Sequence, residues 1–157
     1  MSKKDTNGVV TQNRRARFNY TILEKLEAGI ILTGSEVKSL RFLNANLTDS
    51  YAVEKKGSII LLNSYIPEYP GANRFNHAPR RERTLLLKKK EVSRLIGLVK
   101  KDRVTLVPLS LYFNKRGIAK VELAVATGKK QHDKRETIKQ RDWDKQKSRI
   151  LKNKNYE

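Results

Sequence analysis

The chain contains no cysteine, which removes disulfides, thiol nucleophiles and thiolate metal sites together. Its two histidines, His77 and His132, lie far apart in the sequence, and no carboxylate cluster is read beside either, so neither a metal site nor a hydrolytic centre is expected and no cofactor is implied. No stretch approaches the ~20 apolar residues of a membrane span, and the polar start MSKKDTNG lacks the apolar core of a signal peptide. A cytoplasmic location without membrane attachment is the expectation. Acidic residues are few: 16 Asp and Glu face 35 Lys and Arg, leaving a net charge of +19. A surface so charged seeks polyanions, because lysines and arginines release the counterions condensed on nucleic-acid phosphates. Nucleic acid is therefore the expected partner. With 38% hydrophobic residues the chain is nevertheless apolar enough to fold.

The pattern along the chain divides it into three parts. Residues 1–15 read as a flexible basic arm, polar and too poor in apolar groups to order themselves. Residues 16–127 read as one domain. Within it Phe18, Tyr20 and Ile22 alternate with polar neighbours, the period of a half-buried strand. Thr33 and Glu36 have the spacing of a capping box and predict a short helix through Val37, Leu40 and Arg41, with Lys38 and Arg41 outward. Gly29 to Ser35 nearly matches a phosphate loop, but Ser35 and Glu36 stand where that loop needs Lys and a hydroxyl, which excludes a nucleotide site. Tyr51–Glu54 and Ser58–Ser64 flank Lys55-Lys56-Gly57 as a hairpin. Ile66 to Arg83 is a long irregular connection with basic Arg74, Arg80, Arg81 and Arg83. Val92, Leu95, Ile96 and Val99 form the stripe of an amphipathic helix, and two long strands, Val104–Phe113 and Ile118–Thr127, close the domain.

About six antiparallel strands with two or three short helices favour a mainly β fold, a small OB-like barrel. Residues 128–157 hold 11 basic and 5 acidic residues with few sizeable apolar groups, so this basic tail is expected to be disordered when free and helical on a polyanionic surface.

Several separated blocks carry a resemblance: NRRARFNY at Asn13–Tyr20, EAGIILTGSEVKSLR at Glu27–Arg41, NLTDSYA at Asn46–Ala52, RTLLLKKKEV at Arg83–Val92, VPLSLYF at Val107–Phe113 and GKKQHDKR at Gly128–Arg135. Their order and spacing resemble the SsrA-binding protein family over nearly the full chain. The resemblance implies a non-enzymatic, monomeric protein that binds the tRNA-like domain of tmRNA. It implies entry into a stalled ribosome together with elongation factor Tu, and rescue by trans-translation. There the body stands in for the missing anticodon arm beside the small-subunit rRNA of the decoding centre, and the tail lies in the empty mRNA channel.

The resemblance places RNA contacts at Asn13, Arg14, Arg15, Arg17, Glu27 and Leu86, and Lys120 is a further candidate as an exposed Lys near that face. An Asn amide among guanidinium groups suits phosphate and 2′-hydroxyl recognition. Glu27 is a carboxylate that should repel RNA, and its alternative is to orient a nearby cation. Leu86 has core packing as its ordinary reading, and Lys120 alternates outward on the last strand. Lys38 and Arg41 are positioning charges if their helix faces RNA. In the tail, His132, Asp133, Lys134 and Arg135 form the family motif, Trp143 is suited to stacking, and Ile150, Leu151 and Lys152 are distal anchors. Two rivals remain at this level. A ribosomal or initiation-type OB protein would share the fold, and an RNA-processing enzyme would need a metal-binding carboxylate cluster.

Overall fold

In the computed structural model the described residues are 8–72 and 74–154, the side chains of Asp102, Asn153 and Lys154 excepted; the start of the expected arm and Asn73 of the long connection lie outside them. The elements follow as β1 (Val9–Gln12), α1 (Arg14–Asn19), β2 (Tyr20–Ile30), α2 (Gly34–Phe42), β3 (Tyr51–Lys55), β4 (Ser58–Leu62), β5 (Arg83–Leu86), α3 (Lys89–Asp102), β6 (Thr105–Phe113), β7 (Ala119–Gly128) and α4 (Gln131–Lys154). All strand pairings are antiparallel, in the order β1-β6-β3-β4-β5-β2-β7, and β7 pairs again with β6. The sheet thus returns on itself as a ring with β1 laid against β6, in keeping with the mainly β, OB-like architecture expected.

Closure follows from the residues of β6 and β7. Both are long β-branched and aliphatic runs, and their registers, from Thr105↔Ala126 to Phe113↔Ala119, put Leu106, Leu111, Val121, Leu123 and Val125 into one core. Leu40 of α2 and Leu95 of α3 are buried in that same core. Leu95 belongs to the expected stripe: Val92 and Ile96 pack beside it, and Val99 is the exposed end. A second, smaller cluster lies under α1, where Ala16 meets Val107, Leu109, Ala124 and Ala126. Ala124 and Ala126, two apart on β7, leave the room in which a short helix can sit on the sheet.

The amino-terminal reading is corrected in two places. The arm does not extend to Arg15: Val9–Gln12 adds to β6 through Val9↔Tyr112, Thr11↔Leu111 and Gln12↔Ser110, a partner about one hundred residues away that local charge counting does not reveal. Nor does the strand begin at Phe18. Phe18 and Asn19 finish α1, because Asn13 caps that helix with its side chain, and the alternating pattern starts at Tyr20.

The connection Ile66–Arg83 is tied down by buried His77, whose Nε2 faces the Ile66 carbonyl at 3.1 Å and whose Nδ1 faces Ser35 Oγ at 2.9 Å. The tail carries a single 24-residue helix, Gln131–Lys154. It contains neither Gly nor Pro and is rich in Lys, Arg and Gln, all good helix formers.

Candidate nucleic-acid interface

Cross-strand partners point to the same side of a sheet, and residues two apart on one strand share that side. Gly29 of β2 pairs with Leu86 of β5 and with Lys120 of β7; Tyr112 of β6 pairs with Lys120, and Glu27 with Glu122. Leu86, Lys120, Tyr112, Glu27 and Glu122 therefore lie on one outer face. Space at Gly29 is tight: a Cβ there would come within 3.1 Å of the Leu86 Cβ, and Leu86 would have to shift.

Leu86 is 56% exposed, so the core reading of this leucine is wrong: the pleat turns it outward, between the buried Leu85 and the half-buried Leu87. Glu27 is exposed. Its Oε2 accepts a short hydrogen bond from the Tyr112 hydroxyl, and its Oε1 lies 3.9 Å from Lys120 Nζ. Glu27 thus orients a phenol and an ammonium on the open face. Burial first, then the bond to Glu27 and its charge, push the Tyr112 hydroxyl up to about 12, so it stays a proton donor at neutral pH. Tyr112 is a member of the site that sequence reasoning missed. Its signal lay in VPLSLYF, whose alternation sets Tyr112 opposite the inward Leu111.

A shallow cavity of about 430 Å³ lined by Gln12, Lys25, Glu27, Tyr112 and Glu122, among others, adjoins a second of about 370 Å³ reached by Arg14, Arg17 and Arg141. Gln12, Ser110 and Glu122 border both, so the face continues from Lys120 to α1. Arg14, Arg15 and Arg17 are exposed on α1. Glu122 is already engaged, accepting from Ser110 Oγ at 3.2 Å and facing Lys25 Nζ at 3.6 Å.

Asn13 is the second correction among the site residues. Only 4% exposed, it donates from Nδ2 to the Leu47 and Pro108 carbonyls at 2.9 and 3.1 Å, and its Oδ1 accepts from the Ala16 amide at 3.1 Å. Its amide is saturated by the fold, so it holds α1 in place rather than contacting RNA. Replacing Asn13 by alanine removes a helix cap and strands two buried carbonyls, and should cost about 2–4 kcal/mol. RNA affinity should fall only because α1 shifts. Denaturant unfolding beside RNA titration checks this, and an unchanged midpoint would refute the positioning role.

Lys38 and Arg41 are exposed on α2, as expected, but on a different part of the molecule: Lys38 Nζ lies 6.0 Å from the Tyr69 ring, which stacks on Phe42. The structure does not bring them to the Glu27–Lys120 face. Arg81 and Arg83, counted as basic loop residues, instead turn to Glu36.

In the tail, His132, Asp133 and Arg135 are exposed and Lys134 half-buried in the first turns of α4; Trp143, Ile150, Leu151 and Lys152 are all exposed farther along. The expectation that no carboxylates gather near His132 needs correction. Helical spacing brings Asp133 and Glu136 to it, at 3.8 and 3.6 Å, and the three ligand atoms lie within 4.8 Å of one another. All three groups are exposed on one helix, with no wall around them. Among the described residues no helix is long and apolar enough to cross a membrane.

Comparison with known proteins finds relatives along nearly the whole chain. The family model described as SmpB protein matches residues 10–153. The SsrA-binding proteins of Sinorhizobium fredii and Agrobacterium fabrum are each 58% identical over 151 residues, covering 96% of this chain and 95% and 94% of theirs. A solved chain described under "tmRNA-SmpB: a journey to the center of the bacterial ribosome" has a TM-score of 0.65 and 48% identity, covering 82% of this chain and 94% of that one.

Proposed function

The chain belongs to the SmpB protein family, and from that premise we propose that it binds the tRNA-like domain of tmRNA and delivers it to stalled ribosomes for trans-translation. The observation that carries this reading is the continuous outer face from Leu86 and Lys120 to Arg14 and Arg17. It offers an ammonium, a phenol that is a hydrogen-bond donor at neutral pH, an exposed leucine and guanidinium groups, which together suit phosphates, 2′-hydroxyls and an unstacked base. Glu27 supplies orientation within it. The partners are tmRNA, the ribosome at its decoding centre and mRNA channel, and elongation factor Tu carried on the same RNA. The protein acts as a cytoplasmic monomer and performs no chemistry of its own. The tail helix occupies the empty mRNA channel, where rRNA phosphates neutralise its charge.

Binding to the tRNA-like domain, measured against log salt beside an unrelated RNA of equal length, tests the reading. The protein should prefer the tRNA-like domain at physiological ionic strength, and Lys120→Ala should lower the salt slope by about 1. Equal affinity for both RNAs would sink it. A pulldown separates the ribosomal-component alternative: recruitment should follow tmRNA and not appear stoichiometrically on translating ribosomes.

A further inference from the structure

We propose that Arg14 and Arg17 of α1 together with Arg141 of α4 form one site for an RNA backbone phosphate, and that filling it fixes the direction in which the tail helix leaves the body. The inference rests on the RNA-binding reading above and adds a regulation to it. The three guanidinium groups border a single cavity of about 370 Å³, to which Gln12, Asn13 and Glu122 also contribute. Among the described residues none of the three arginines takes part in an ion pair. Glu122 does not neutralise them, since its two oxygens face Ser110 and Lys25. Three cations thus share one concave space in which Glu122 is the one carboxylate among the lining residues, and that carboxylate is already paired with Lys25.

The Arg141 guanidinium lies over the Phe18 ring, 5.4 Å from its centre. Stacking uses the face of the guanidinium and leaves its in-plane N–H donors for a ligand. A phosphate oxygen accepts such a fork in bidentate fashion, which suits Arg better than Lys.

Among the described residues, the hydrogen bonds that otherwise tie the helix carrying Arg141 to the body lie at its root. The Lys129 amide donates to the Asn19 carbonyl at 2.9 Å, and Lys129 Nζ donates to the Arg17 carbonyl at 3.3 Å. Beyond these, the repulsion of Arg141 by Arg14 and Arg17 opposes the stacked position when the cavity is empty. A phosphate reverses the sign of that interaction and draws α4 against α1. Occupation of the site and orientation of the tail are then coupled, and the coupling is reciprocal. Arg141 acts here as a positioning residue for the tail as well as a phosphate ligand.

The absence of cysteine allows a direct test. Lys56→Cys on the β3–β4 turn and Ser148→Cys on α4, both exposed positions, carry spin labels, and the inter-label distance distribution is measured on the full chain. Saturating tRNA-like RNA should narrow the distribution. In the Arg141→Ala background the RNA should bind about threefold to tenfold more weakly, and at saturation the distribution should stay broad. Arg141→Lys should recover the salt slope without the narrowing, since it keeps charge and loses the planar fork. Sodium phosphate at matched ionic strength should leave the distribution broad; equal narrowing by free phosphate would overturn the assignment to an RNA backbone. Narrowing in Arg141→Ala equal to that of the parent, or none in the parent despite bound RNA, would overturn the coupling. Failure of the RNA to bind either protein would instead overturn the RNA-binding reading on which the proposal stands.

Discussion

Replacing Glu36 by alanine is expected to cost about 3–5 kcal/mol, the scale for breaking a buried pair, out of a total stability that for a domain of this size is about 5–15 kcal/mol. Glu36 and Arg83 are both 0% exposed, 2.8 Å apart. The carboxylate accepts from the Thr33 amide at 2.9 Å, from Arg81 Nε and Nη2 at 3.1 and 2.7 Å, and from Arg83 Nε at 2.9 Å. The remaining Arg83 donors reach neutral partners, the Ser64 carbonyl and hydroxyl and the Pro79 carbonyl. Without Glu36, a buried guanidinium keeps its bonds to Ser64 and Pro79 but loses its bond to the carboxylate and its counter-charge. Burial already draws the Arg83 pKa down, and the Glu36 charge and bond are what oppose it. The same substitution removes the carboxylate half of the capping box on α2 and frees the loop that Arg81 secures.

The pH dependence of this pair has a definite sign. Burial, the largest single influence on Glu36, pushes its pKa up, but the bonds from Arg81 and Thr33 and the charges of Arg83 and Arg81 together outweigh it and hold the carboxyl below its ordinary 4.5. A folded pKa below the unfolded one contributes stability that is complete above the unfolded value and is lost as pH falls through the folded value. Wild-type stability should therefore drop on acidification below about 4.5, and Glu36→Ala should flatten that limb. Guanidinium unfolding at several pH values measures both. A neutral-pH cost under 1 kcal/mol would refute the account. A Glu36→Leu, Arg83→Met double variant should recover much of the loss, because apolar groups of similar volume remove both charges together.

What could be read from the sequence depended on how far apart the interacting residues lie. The Thr33–Glu36 box, the Val92–Val99 stripe and the alternation of β7 are patterns of two to seven residues, and each appears in the structure at its expected place. Asn13 looked like one more polar residue of a basic arm because its acceptors, Leu47 and Pro108, are 34 and 95 residues away. Arg81 and Arg83 looked like solvated loop charge because Glu36 precedes them by 45 and 47 residues. Glu36 itself was legible only as a cap, although a carboxylate at a buried N3 position needs a cation as well as an amide. Leu86 failed for a different reason. In LLL an unbroken apolar run gives no phase, and the exposed member is chosen by the register with Gly29. The joined outer face was likewise invisible, since it gathers β2, β5, β6 and β7 with α1.

A chain ending at Thr127 is expected to retain the tRNA-like RNA within about tenfold of the full-length affinity, yet to lose tagging of stalled peptides altogether. The cut spares the ring: β7 keeps its pairing with β2 from Thr21↔Thr127 onward and with β6 throughout, losing Tyr20↔Gly128 and the two Lys129 bonds at the root of α4. Both core clusters lie entirely within the retained residues. The tail carries +6 of the +19, so the body keeps +13 and with it most of its attraction for phosphate. The moderate loss of affinity comes from Arg141 and from a smaller salt slope. Tagging depends on different groups. Trp143, Ile150 and Leu151 are 63%, 61% and 56% exposed on a helix that buries almost nothing against the body. Such apolar area on a charged, unpartnered helix gains free energy only when another surface covers it. Trp143→Ala should accordingly lower tagging while leaving RNA affinity unchanged, a separation that mere loss of charge cannot produce. Gel-shift titration of the RNA and mass spectrometry of tagged products read the two quantities independently, and tagging retained by the shortened chain would refute the division of roles between body and tail.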